Sequence, residues 1–200
     1  MPLVHYAARE ILCKIVYYGP ARSGKTTNLQ WLHRSVPETQ RNDLISLATE
    51  SDRTLFFDFL PLDLGEISGF RTRLQLYTVP GQVYYNATRK LVLRGADGVV
   101  FVADSQPDRL SENLSSLRNL DENLLEQGIE PETVPMVLQY NKQDLPGAVS
   151  LAELDAALNG RGAPSRTAAA IRGNGIIATL RDMSELVLRS VSRQIAAPVG

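Results

Sequence analysis

Eight residues restrict this chain more than all the others. Gly19-Pro20-Ala21-Arg22-Ser23-Gly24-Lys25-Thr26 fits G-x-x-x-x-G-K-[ST] without a gap. Such a loop carries chemical meaning when it joins a strand to a helix, because backbone N–H groups and the helix N-terminus then converge on one anionic group. Both flanks qualify. Residues 11–18 (ILCKIVYY) form a strand-length apolar run, and 25–34 read as the helix that follows. Gly19, Ala21, Arg22, Ser23, Gly24 and Thr27 are therefore candidates for a phosphate cradle. Lys25 is positioned to reach β- and γ-phosphates, and the Thr26 hydroxyl to bind a magnesium ion. The bland alternative is a glycine-bounded turn with no ligand.

The remaining pattern repeats this alternation of strand and helix. Residues 54–60 and 72–79 read as two strands separated by turn residues Gly65 and Gly69, and 98–103 and 134–140 as short, fully buried strands. Between the last two, Leu110, Leu114, Leu117, Leu120 and Leu124 define one face of a helix over 108–127. Ile176, Leu180, Met183, Val187 and Val191 form a similar stripe near the C-terminus. Strands and helices interleaved in this way predict an α/β chain with a mostly parallel sheet covered on both faces. Ligands of such sheets bind at the carboxyl ends of the strands.

Two further motifs fall at those ends. Asn141-Lys142-Gln143-Asp144 follows the strand ending at residue 140. The Asp144 carboxylate can accept from the ring N–H and exocyclic amine of guanine, a pair that adenine does not present. Asn141 can serve the opposite edge, and the Lys142 stem can lie across the ring. Ala170 is the preferred candidate for one more contact to the base through its backbone N–H. Thr78-Val79-Pro80-Gly81-Gln82 ends another strand. There Gly81 can bring an N–H to a γ-phosphate and Gln82 can orient a water. Upstream, Thr54 is a candidate magnesium ligand. Arg53 is either an internal cation for the phosphates or a solvated charge at a strand edge.

Composition removes several classes of function. A net charge of −1 over 200 residues favours no bulk binding to nucleic acid or to an acidic membrane. Cys13 is the sole cysteine, so no internal disulfide exists. It reads as a small core residue in a chain suited to the reducing cytoplasm. Pro2 excludes N-myristoylation and the terminus AAPVG lacks a prenylation cysteine, so any membrane or polar recruitment is expected to come through partners. No repeat or linker divides residues 1–200, which predicts a single domain.

The segments KIVYYGP, SGKTTNLQ, RTLFFDFLPLDLGEI, LYTVPGQVYYNATRKL, GVVFVADSQ and QYNKQDLP resemble the MglA family of bacterial Ras-like GTPases. The likeness spans nearly the whole chain. It implies the small-GTPase fold of P-loop NTPases, GTP/GDP and Mg2+ as ligands, and hydrolysis of GTP in control of cell polarity or gliding motility. It also implies that Arg53 and Gln82 are a catalytic pair assisted by Lys25, and that Thr54 belongs to a magnesium-sensing switch. The partners implied are an MglB-like roadblock-domain GTPase-activating protein and downstream polarity or motility effectors.

Two positions stand apart. Thr78 occupies the place where most small GTPases carry aspartate, a departure that the MglA family shares, and weaker magnesium binding is expected. Ala21 replaces the usual glycine of that family, and it is expected either to slow hydrolysis or to be neutral. A GTP-gated recruitment module with vestigial hydrolysis is the alternative function. An ATP-dependent small-molecule kinase, which can share the loop, is disfavoured by the Asn141–Asp144 box.

Overall fold

The computed structural model describes residues 3–47, 57–67 and 69–196. Strand β1 (Leu3–His5) pairs antiparallel with β2 (Glu10–Tyr18), and β2 delivers the chain into the 19–26 loop. Helix α1 (Lys25–Ser35) follows, then edge strand β3 (Ile45–Leu47) and the hairpin β4 (Phe57–Ile67) and β5 (Phe70–Thr78). Helix α2 (Asn86–Leu93), β6 (Gly98–Asp104), α3 (Leu110–Leu125), β7 (Met136–Asn141), α4 (Leu151–Leu158), β8 (Ser165–Thr167) and α5 (Ile176–Ala196) complete the order. The sheet runs β3-β4-β5-β2-β6-β7-β8, with β1 beside the start of β2. Pairings from β5 through β8 are parallel, while β3 and β4 are antiparallel.

Alternation along the strands feeds two cores, because successive side chains leave opposite faces of a sheet. From β2, Cys13, Ile15 and Tyr17 join Leu29, Leu32, Met183 and Val187 of α1 and α5. Val16 and Tyr18 join Leu93, Leu120, Leu124 and Leu154 of α2, α3 and α4. Every residue of β6 and β7 is buried, as expected of central parallel strands. Among the described residues no helix is long and apolar enough to cross a membrane.

Four differences from the sequence pattern have physical causes. The strand expected over 54–60 is described from Phe57 and continues to Ile67, well past Pro61. Pro61 keeps its place because its carbonyl still accepts from Asn42 N–H. Gly65 is no turn. It lies in a register shift between Asp63 and Glu66, a bulge that lets the strand continue until Ile67 pairs with Phe70. Leu114 is exposed, since the buried side of α3 also carries the polar residues Asn113, Ser116 and Asn123, of which Asn113 bonds the Asp104 backbone and Asn123 bonds Tyr18. Finally, α2, α4 and three three-residue strands had no periodicity long enough to announce them. Helix α4 did carry a signal, a capping box in which Ser150 and Glu153 bond each other's backbone N–H groups.

Candidate functional site

The turn from β2 into α1 is shaped by close approach. Gly24 has φ 102°, and a Cβ there would lie 2.2 Å from Asn141 Nδ2, so only glycine lets the loop rest on the next motif. Lys25 folds back inside the loop. Its side chain is buried and Nζ donates to the carbonyls of Gly19 (2.8 Å) and Pro20 (2.6 Å). Burial, and secondarily the charge of Arg89, push the Lys25 ammonium down to about 7. An ammonium so desolvated gains strongly from a polyanion placed beside it.

Beside Lys25 stands a cluster of short oxygens around a residue that the sequence patterns did not single out. Asp58 on β4 accepts from Thr26 Oγ1 (2.6 Å) and Thr78 Oγ1 (2.9 Å) through Oδ2, and from Ser46 Oγ (2.7 Å) through Oδ1. Its own N–H donates to Thr78 Oγ1 at 2.8 Å. The pairing Phe59↔Tyr77 between β4 and β5 sets Asp58 next to Thr78. A carboxylate thus stands where the residue at position 78 supplies only a hydroxyl. A cavity of about 360 Å³ opens over this cluster, lined by Arg22, Gly24, Lys25, Thr26, Thr27, Asp58, Thr78 and Gly81 among others.

At the far end Asn141 ties three segments together. Its Nδ2 donates to the Ser23 carbonyl (2.7 Å) and its Oδ1 accepts from Ala170 N–H (2.8 Å). Ala170 is thereby brought to the site, but its N–H is already engaged by Asn141. Lys142, at φ 68°, extends to Asp104 Oδ2 at 2.5 Å. Asp104 ends β6 and is fully buried, a second positioning residue missed from sequence, although an acid closing a buried strand was visible there. Asp144 pairs with Arg172 at 3.2 Å. A cavity of about 340 Å³ is lined here by Asn141, Lys142, Asp144, Leu145, Ala170 and Ile171, together with Arg22, Gly24 and Thr27. Those last three residues also line the first cavity. The two cavities therefore adjoin at these three residues, one at the Lys25 end and the other at the Asp144 end.

Gln82 and Ala21 sit to one side of the first cavity. Gln82 is exposed and lines, with Ala21, Arg22 and Gly81, a groove of about 750 Å³ against α2 and α3 that adjoins the first cavity at Arg22 and Gly81. Gly81 lies so near that loop that a Cβ on it would come within 2.3 Å of Ala21 Cα. Arg53 and Thr54 lie outside the described residues. Cys13 is fully buried and its thiol is pushed up to about 12 by desolvation, which suits a core residue rather than a nucleophile. Tyr84 is exposed on the switch side, whereas Phe57 and Phe59 flank Tyr77 with ring centroids 5.9 and 4.7 Å away.

Comparison with known proteins agrees with this architecture. The family model described as the ADP-ribosylation factor family matches residues 3–185. The mutual gliding-motility protein MglA of Myxococcus xanthus is 55% identical over 193 residues, covering 96% of this chain and 99% of that protein. ADP-ribosylation factor-like protein 6 of Caenorhabditis briggsae is 29% identical over 150 residues, 72% of this chain and 67% of its own. ADP-ribosylation factor-like protein 4D of Mus musculus is 32% identical over 122 residues, 58% of each.

Proposed function

The chain belongs to the ADP-ribosylation factor family and is a small GTPase of the MglA type, and from that premise we propose that it is a cytoplasmic polarity or gliding-motility switch driven by a roadblock-type partner resembling MglB. The observation that carries this reading is the pair of adjoining cavities, one over a phosphate-type loop and the other at the Asn141–Asp144 box. Guanine seats at the box, with Asp144 accepting from its N–H groups and Lys142 covering its face. The Asp144–Arg172 pair must open or rearrange to admit it. Lys25 leaves the carbonyls of Gly19 and Pro20 for the β- and γ-phosphates, an exchange favoured by its burial.

The oxygens of Thr26, Asp58 and Thr78 fit a hard divalent cation. Among the described residues no group of three or more acidic, histidine or cysteine side chains could hold a metal ion. Thr26 would be the direct ligand of magnesium, Thr54 would join it in the GTP state, and Asp58 would supply the negative charge that Thr78 lacks. Magnesium held there would supply charge neutralisation on the phosphates. Gly81 N–H meets the γ-phosphate, Gln82 orients the attacking water, and Arg53 neutralises the developing charge when docked. Residues 1–200 act as one G domain.

Ala21 supports a second reading, a GTP-gated recruiter with slow hydrolysis, because it crowds the same groove as Gln82. Single-turnover GTP hydrolysis with and without the roadblock partner separates the two. For a cycling switch the partner accelerates wild type about 10³-fold or more, and Arg53→Ala and Gln82→Ala lose that response. If Ala21→Gly alone makes the chain responsive, the recruiter reading stands.

A further inference from the structure

Arg89, in the first turn of α2, is 5% exposed. Its Nε donates to the Pro80 carbonyl at 3.0 Å, and Nη2 donates to the carbonyl of Gln82 and, at 3.5 Å, to that of Gly81. The other arm, Nη1, donates to Asn119 Oδ1 on α3. Asn119 Oδ1 also accepts from Tyr18 OH at 2.7 Å, and Tyr18 is the strand residue just before Gly19. Asn123 adds a bond to Tyr18 OH at 3.0 Å, and both asparagines donate to Asn86 Oδ1. One guanidinium thus fastens the three-residue segment 80–82 to α3 and, through Asn119, to the base of the phosphate loop.

All the acceptors of Arg89 are neutral, and among the described residues no carboxylate pairs with it. A buried cation held only by neutral oxygens is a costly way to fill a core position. A residue whose sole role was to hold α2 on the sheet could be apolar. Arginine offers something an apolar residue does not, namely a rigid planar fork that fixes several backbone carbonyls at once.

Resting on the reading of Gln82 as the water-orienting residue, we infer that Arg89 is the positioning residue for Gln82. It clamps the 80–82 backbone to α3, so the Gln82 side chain and the Gly81 N–H are presented from a fixed platform. Ala21 and Gln82 line the same groove as Arg89 and Asn119. Displacement of the segment therefore moves Gln82 relative to the phosphate loop, while the base end of the site stays untouched.

The test compares single-turnover GTP hydrolysis with GDP and GTP dissociation constants for wild type, Arg89→Ala, Arg89→Lys, Asn119→Ala, Gln82→Ala and the Arg89→Ala/Gln82→Ala pair. The expected result for Arg89→Ala is hydrolysis slowed about 30-fold or more with nucleotide affinity within about threefold, a split that general loosening would not produce. Lysine, a point donor, recovers only a small part of the rate. Asn119→Ala leaves the arginine in place and reproduces part of the loss, which keeps the inference testable if Arg89→Ala folds poorly. The double variant is no slower than Gln82→Ala, because both act on one step. Equal loss of rate and affinity, or full multiplication of the two effects, overturns the inference. A Gln82→Ala variant with unchanged hydrolysis overturns the underlying functional reading instead.

Discussion

The two ends of the site use similar residues in opposite ways. At the base end, both halves of the Asn141 amide already hold other segments, Ser23 on one side and Ala170 on the other, and Lys142 is anchored on Asp104. At the phosphate end, Lys25 and Thr26 are bonded to groups that a nucleotide must displace, the carbonyls of Gly19 and Pro20 and the Asp58 carboxylate. The base end is largely preorganised, with the Asp144–Arg172 pair left to rearrange, which lowers the cost of binding there. The phosphate end exchanges partners, and an exchange that depends on the γ-phosphate is what lets a binding event alter distant segments.

Removing Lys25 separates the two ends most clearly. Lys25→Met is expected to weaken GDP and GTP binding by about 10³-fold, roughly 4 kcal/mol. Titration calorimetry measures that loss. Denaturant unfolding of the nucleotide-free variant should show stability unchanged or slightly higher, since a desolvated cation has been replaced by an apolar chain of similar length. Clear destabilisation of the empty chain would mean that Lys25 is structural, and the contrast would fail.

Asn141→Ala should do the reverse. It leaves the Ala170 N–H and the Ser23 carbonyl buried without partners, at about 1–3 kcal/mol each. The melting temperature of the empty chain is expected to fall by about 5–10 °C, and GDP affinity by about 10- to 100-fold. Weaker affinity with an unaltered melting temperature would show that the base end is assembled only by its ligand.

The smallest effect is the most specific. Asp58→Asn is expected to raise the magnesium concentration needed for half-maximal GTP retention about tenfold, roughly 1.4 kcal/mol. Magnesium-free GDP binding should change little. Thr78→Asp in that background should restore the requirement by returning a carboxylate to the neighbouring strand. If Asp58→Asn leaves the magnesium titration unmoved, the carboxylate belongs to the empty state alone.

Much of this was readable in advance, for identifiable reasons. The 19–26 loop and the 141–144 box are each contiguous, so their chemistry is written in consecutive letters, and the buried strands show as apolar runs, unbroken over 98–103 and interrupted only by Gln139 over 136–140. The long stripe of α5 was equally plain, whereas α2 and α4 are eight-residue helices, barely two turns, too short for a period to emerge. Leu114 misled because an amphipathic stripe says which residues are apolar, not that the opposing surface is.

The sequence alone therefore determined the phosphate loop, the base-reading box and a mostly parallel sheet to carry them, because local order encodes strands, turns and contiguous motifs. Only the tertiary structure decided that Asp58 stands beside Thr78, twenty residues away, and that Arg89 joins the 80–82 segment to Asn119 and Tyr18. The first depends on the antiparallel register of β4 on β5, and the second on how α2 and α3 pack over the end of β2. Register and packing are properties of surfaces brought together by burial, and no run of neighbouring residues states them.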